Sequence, residues 1–223
     1  MDSGARRQAR DVLLVLMACV ALLVAGAAGR ALGPPPPPGS ASAEAGFARD
    51  MRDHHFQAVQ MSEIVRERTG DPAIRVLAFD IASGQQAQAG MMMGWLDQWD
   101  LQQSAGSGPR MAWMTSGGGG HHAAAAGPAP GAAAPGGGRA LMPGMATASD
   151  LDLLRSLSGK PAEVLWLRLM AAHHRGGVEM AEAAARLVEP EYERRLAENI
   201  AASQSAEIEY LNALLAQRGE GPA

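Results

Sequence analysis

Four stretches of the chain place apolar residues on one side of a helical repeat and polar residues on the other. They run from Ser42 or Glu44 to about Arg68, from about Pro72 to Gln103, from about Pro161 to Val188, and from about Pro190 to Gln217. Gly70-Asp71-Pro72 separates the first pair and Glu189-Pro190 the second, because proline breaks a helix interior yet suits a first turn. Gly219 is positioned to terminate the fourth helix. A shorter helix is expected from Thr147 or Ser149 to Leu157, with Asp150 and Asp152 favourable near its start. Gly84, Gly90 and Gly94 weaken the second helix and point to close contact with a neighbour. The expected architecture is all-α: a ferritin-like four-helix bundle built from two tandem helical hairpins with a long crossover linker.

The two hairpins are copies. MRDHHFQAVQM at 51–61 returns as MAAHHRGGVEM at 170–180, at a constant offset of 119 residues. The same offset pairs Glu44 with Glu163, Phe47 with Trp166, Gln85 with Gln204, and Gln88 with Glu207. Two units are too few for a solenoid and fit a pseudo-symmetric bundle in which each half covers the other's apolar face.

Composition divides the rest. Residues 1–33 read as a signal peptide or N-terminal membrane anchor: Arg6, Arg7 and Arg10 precede an uncharged run from Val12 to Ala28. Ala25-Gly26-Ala27 offers a cleavage signal; left uncut, the segment would tie the protein to the membrane. Basic residues before the run place everything after it outside the cytoplasm. Residues 34–43 are a proline-rich spacer, 44–104 the first hairpin, 105–146 a Gly/Ala/Pro-rich linker, and 147–218 the short helix and second hairpin. Residues 44–218 together form one bundle domain. The net charge is −4, with no basic stripe, which argues against nucleic acid as a partner. The one cysteine, Cys19, lies in the N-terminal run, so thiolate metal sites are excluded from the bundle.

What the repeated residues offer is imidazole and thioether. At about 100° per residue, Glu44, Phe47, Met51, His54, His55, Ala58 and Met61 fall within an arc of roughly 120°. Their counterparts Glu163, Trp166, Met170, His173, His174, Gly177 and Met180 do the same. The arc is core-facing, yet it carries nitrogen and soft sulfur where a plain bundle would use Leu. That donor set suits copper. The candidate metal ligands are Met51, His54, His55, Met61, Met170, His173, His174 and Met180. Glu44, Gln85, Gln88, Glu163, Gln204 and Glu207 are the candidate hydrogen-bond partners that would fix the imidazole tautomers. Met91, Met92 and Met93 cannot all face one site and read as packing. His121 and His122 sit in the linker and read as low-complexity sequence. Glu191 to Arg195 read as a solvated face.

These residues resemble a known family, the bacterial domain-of-unknown-function family 305. Its hallmark is similar to Met-x-x-His-His-x-x-Ala-x-x-Met, which 51–61 matches at every position; the second copy has Gly177 at the Ala position. MPGM at 142–145, SQSAEI at 203–208 and WL at 95–96 also look like this family. Glu44 and Glu163 stand where the family often has Asp, and Gln88 where Glu is usual. The resemblance implies a ferritin-like bundle, an extracytoplasmic location and, in some members, copper binding, with no enzyme activity implied.

The expected function is therefore an exported protein that binds copper, as Cu(I) or Cu(II), for sequestration or transfer outside the cytoplasm. The ion itself, a copper-handling partner or a second copy of the chain would be its partners. A structural bundle without metal is the alternative. A ferritin-like di-iron or di-manganese oxidase is disfavoured, because no Glu stands three residues before any His. Neutral imidazole is the ligand form, so affinity is expected to fall as pH drops through roughly 6.5.

Overall fold

The computed structural model describes residues 3–32, 36–104, 109–116 and 142–223, and every regular element among them is helical. The chain divides into two compact units, Met1–Pro37 and Pro38–Ala223. The first holds α1 (Ser3–Leu32), whose large apolar side chains from Val12 to Val24 are exposed. Among the described residues no helix is long and apolar enough to cross a membrane.

The second unit contains α2 (Ala43–Arg68), α3 (Pro72–Gln98), α4 (Trp113–Ser116), α5 (Ala148–Ser156), α6 (Gly159–Leu187) and α7 (Glu191–Gln217). Local chemistry sets these limits. The Ser42 hydroxyl accepts the Ala45 N–H and starts α2. Asp71 does the same for α3, with Pro72 in its first turn. Thr147 and Asp150 form a reciprocal capping box on α5. α3 stops at Gln98, short of the expected Gln103. Asp100 turns left-handed at φ 55°, and Arg49 and Arg52 of α2 draw the Gln102 and Gln103 carbonyls back by hydrogen bonds of 2.9 and 2.7 Å.

α2 packs on α3 and α6 on α7, and the two hairpins meet chiefly through α2 and α6. Those two run antiparallel. Glu163, near the start of α6, accepts the Thr69 hydroxyl just past α2. Glu44, near the start of α2, accepts the Glu189 N–H just past α6. Two apolar clusters fill the interior. One contains Phe47, Met51, Met92, Met180 and Ile200. The other contains Ala58, Met61, Trp166, Met170 and Leu211.

The segment expected to be linker is anchored where it is described. The Asp50 carboxylate accepts the Met111 N–H at 2.8 Å and the Trp113 indole N–H at 3.1 Å. Trp113 is buried edge-on against Phe47, in space left by Gly46, where a Cβ would come within 2.6 Å of the indole. Residues 142–146 pack on α2, where the Gln57 amide both donates to and accepts from the Ala146 backbone. His121 and His122 lie outside the described residues.

The two ends of the bundle have diverged. At one, the Glu163 carboxylate is held by Arg218 at 2.9 Å, and Arg218 also pairs with Asp71. At the other, the positions equivalent to Arg218 and Ile74 are Trp99 and Glu193, so Glu44 meets a second carboxyl, and no ion pair forms with it among the described residues. Glu193 was expected on a solvated face; it is instead fully buried, with no hydrogen-bond partner for either oxygen. Loss of hydration and the nearby Glu44 raise its pKa to about 8. A raised acid contributes stability that is complete below the ordinary value and lost as pH climbs to the folded one, at about 1.4 kcal/mol per pH unit. Glu193→Ile, which restores the residue of the first hairpin, is therefore expected to raise the melting temperature, by a margin that widens as pH goes from about 5 to 8. Thermal melts across that range check it, and a margin that does not change with pH would contradict it.

Candidate metal centre

All eight candidate ligands are completely buried. The four imidazoles form one layer at the α2–α6 contact, where the His54 and His173 rings stack with centroids 3.7 Å apart. The methionines divide between the two sides of this layer. Met51 and Met180 belong to one apolar cluster, Met61 and Met170 to the other. This follows from the antiparallel course of two copies: the Met before one His pair comes to the side of the Met after the other.

Each imidazole is oriented through Nε2. His54 Nε2 faces the Pro143 carbonyl at 3.1 Å, and His173 Nε2 faces the His54 carbonyl at 3.0 Å. His55 Nε2 meets Gln88 Oε1 at 2.7 Å, and His174 Nε2 meets a Glu207 carboxylate oxygen at 2.5 Å. Backbone carbonyl, amide and carboxylate oxygens only accept, so Nε2 carries the proton. A neutral imidazole has a single N–H, which leaves Nδ1 as a bare lone pair. All four Nδ1 atoms are buried and without a hydrogen-bond partner. An outer oxygen fixing one ring nitrogen while the other is left free is the arrangement of a metal-binding histidine. Among the described residues no three His, Cys, Asp or Glu side chains group tightly enough to hold an ion by themselves.

The predicted hydrogen-bond partners separate into three pairs. Gln88 and Glu207 contact His55 and His174, at matching positions of the two hairpins. Glu44 and Glu163 do not reach the imidazoles. They lie ten residues back along their helices, about 15 Å away, and bond to the opposite interhelical turns. Gln85 and Gln204 are buried but have no partner. The sequence reasoning did not find the Pro143 carbonyl. It approaches because Gly176 and Gly144 lack side chains: a Cβ on Gly176 would fall 2.0 Å from the Pro143 oxygen, and one on Gly144, at φ +73°, 2.2 Å from the Ala172 oxygen. The signal was present in the Gly-Gly pair after His174 and in MPGM, which also brings the buried Met142 into the Met51 cluster. Met92 is buried while Met91 and Met93 are exposed.

Burial sets the protonation state. It lowers the pKa of His54 to about 4 and that of His55 to about 3, and holds His173 well below the ordinary value. The ligand form thus persists in the folded protein well below pH 6.5, lower than the sequence-based expectation. A depressed base contributes stability that is present above its unfolded pKa and lost as pH falls toward the folded one. Three such imidazoles outweigh the single opposite contribution of Glu193. The melting temperature of the metal-free chain is expected to fall as pH is lowered from about 7 to 5, and less steeply in His55→Leu. Melts without metal check this; a flat profile would contradict it.

The chain is similar to proteins of known structure. A model of the domain of unknown function DUF305 matches residues 44–215. The crystal structure of a Streptomyces coelicolor DUF305 protein, described as a candidate secreted protein, is 44% identical. It covers 83% of this chain and 99% of its own, with a TM-score of 0.70. A DUF305 fragment from Deinococcus radiodurans is 26% identical over 82% of this chain and 99% of that one, at 0.61. CopM in its Cu(II)-bound form is 23% identical over 77% and 94%, at 0.54, a likeness of fold. No curated protein matches. The family model spans both hairpins and their paired histidines, and the chain belongs to the DUF305 family.

Proposed function

We propose that the bundle is an extracytoplasmic copper-binding protein that sequesters the ion or hands it on. The observation that carries this reading is the set of four buried, partnerless Nδ1 lone pairs between two pairs of methionines. Thioethers favour Cu(I), and imidazole accepts both Cu(I) and Cu(II). Left without an ion, each orphaned polar atom costs about 1–3 kcal/mol. A bundle that keeps four of them gains from a ligand what it forgoes in apolar packing.

The relatives support the same reading. CopM has structures named for Cu(II)-bound, Cu(I)-bound and Ag-bound forms. The basic-then-apolar N-terminal segment and the description of the Streptomyces relative support the location. His54, His55, His173 and His174 would supply nitrogen, and Met51, Met61, Met170 and Met180 sulfur. Gln88, Glu207 and the Pro143 carbonyl hold the rings in the binding tautomer. Full burial of all eight groups suits retention of the ion better than rapid turnover of a substrate.

The test is a titration of the full chain with Cu(I), Ag(I) and Cu(II), followed by binding and by melting. A ligand at about a hundred times its Kd stabilises the native state by about 2.7 kcal/mol. In a domain of this size that raises the melting temperature by roughly 5–10 °C. The rise is expected to vanish when all four histidines are changed to Ala. It is expected to shrink for Ag(I) when the four methionines become Leu, a change that keeps the core volume. No shift in the unaltered chain, or an equal shift in both variants, would reject the reading.

A further inference from the structure

Gln85 and Gln204 occupy equivalent positions in the two hairpins, and each puts a primary amide into the core with neither its oxygen nor its nitrogen bonded to any group. They are 5% and 2% exposed. Both were expected to bond to the imidazoles, yet Gln88 and Glu207, one turn away, hold that place. The question is what the two amides face.

The histidine contacts fix their level in the bundle. His55 meets Gln88 across the antiparallel α2–α3 pair, so one turn further Gln85 stands level with Ala58. His174 meets Glu207 across α6–α7, so Gln204 stands level with Gly177. The second placement is direct: a Cβ on Gly177 would lie 2.2 Å from Gln204 Oε1. The small residue of the second copy, Gly177, is thus the hollow that admits the Gln204 head, and Ala58 stands at the matching level beside Gln85. The stacked His54 and His173 rings give the register of α2 on α6. That register brings Met170 to the level of Ala58, with which it shares a cluster, and Met51 to the level of Gly177. Each amide therefore stands about one turn from the imidazole layer, level with the nearer methionine of one pair, and the two lie on opposite sides of that layer.

Resting on the copper reading above, we propose that Gln85 and Gln204 are oxygen-donor arms, one on each side of the imidazole layer, each meeting an ion bound on its own side or that ion's water, so that the bundle can hold Cu(II) as well as a monovalent soft ion. The chemistry is that of donor hardness. A site of thioether and imidazole alone favours the monovalent ion, whereas an amide oxygen is the kind of ligand a divalent ion accepts. Each amide nitrogen adds a donor on its own side for an ion-bound water.

The test compares the unaltered full chain with a Gln85→Leu/Gln204→Leu variant and a Gln85→Met/Gln204→Met variant, using Cu(II) and Ag(I) as separate probes. Cu(II) affinity is expected to fall by about tenfold or more in both variants, while Ag(I) affinity changes by less than about threefold. Without metal the Leu variant is expected to melt above the unaltered chain, because two orphaned amides have left the core. Equal loss of both ions, no change in Cu(II) affinity, an unaltered chain that takes up Ag(I) but not Cu(II), or a metal-free Leu variant that melts lower would each overturn the assignment. An unaltered chain that binds neither ion would instead remove the copper reading on which it rests.

Discussion

The contact between α2 and α6, with the His54 and His173 rings stacked at its middle, is the constraint on which the rest of the domain is arranged. The two helices are copies of one sequence laid antiparallel, so whatever one contributes the other contributes from the opposite direction. This turns a linear pattern, Met then His-His then Met, into a layer of nitrogen between two sulfur pairs. The hairpin partners α3 and α7 add an oxygen to the outer imidazole of each copy, and the 142–146 loop adds one to His54. The tautomer argument follows from those oxygens. Because every Nε2 proton is committed to an oxygen, every Nδ1 lone pair is uncommitted and buried.

Such a core is expensive by the standards of a simple bundle. Phe47, Trp166, Ile200 and Leu211 provide dense apolar packing on either side. Between them lie partnerless imidazole nitrogens and two partnerless glutamines. Side-chain caps start α2, α3 and α5, and large apolar side chains fill both clusters, so the polar layer is where function displaces the best packing. The duplicated halves have also drifted apart. The Glu163 end is neutralised by Arg218, whereas the Glu44 end carries Glu193 buried in the position that Ile74 fills in the first hairpin.

Most of the fold could be read from the chain because its signals are local. The turn at Gly70-Asp71-Pro72 and the Thr147–Asp150 cap produced helix boundaries within a few residues of those observed. The repeat register put the eight His and Met side chains on one arc, and the fold buries all eight. What could not be read depends on distant parts of the chain. The stop of α3 at Gln98 is drawn by Arg49 and Arg52 of another helix. The return of 109–116 to the core needs Asp50, Phe47 and the space at Gly46 together. Glu44 and Glu163 share the angular arc of the histidines, but a helical wheel discards height, and height sends them to the bundle ends. Glu193 lay in a charged run that gave no hint of burial.

The state of the four imidazole Nδ1 atoms tests the account most directly. Nitrogen-15 NMR of the histidine side chains in the full chain, before and after Ag(I), reads it. The expected result is a proton on each Nε2 and none on Nδ1, with the Nδ1 resonances moving when the ion is added. Rings protonated at Nδ1, or Nδ1 resonances indifferent to the ion, would contradict it.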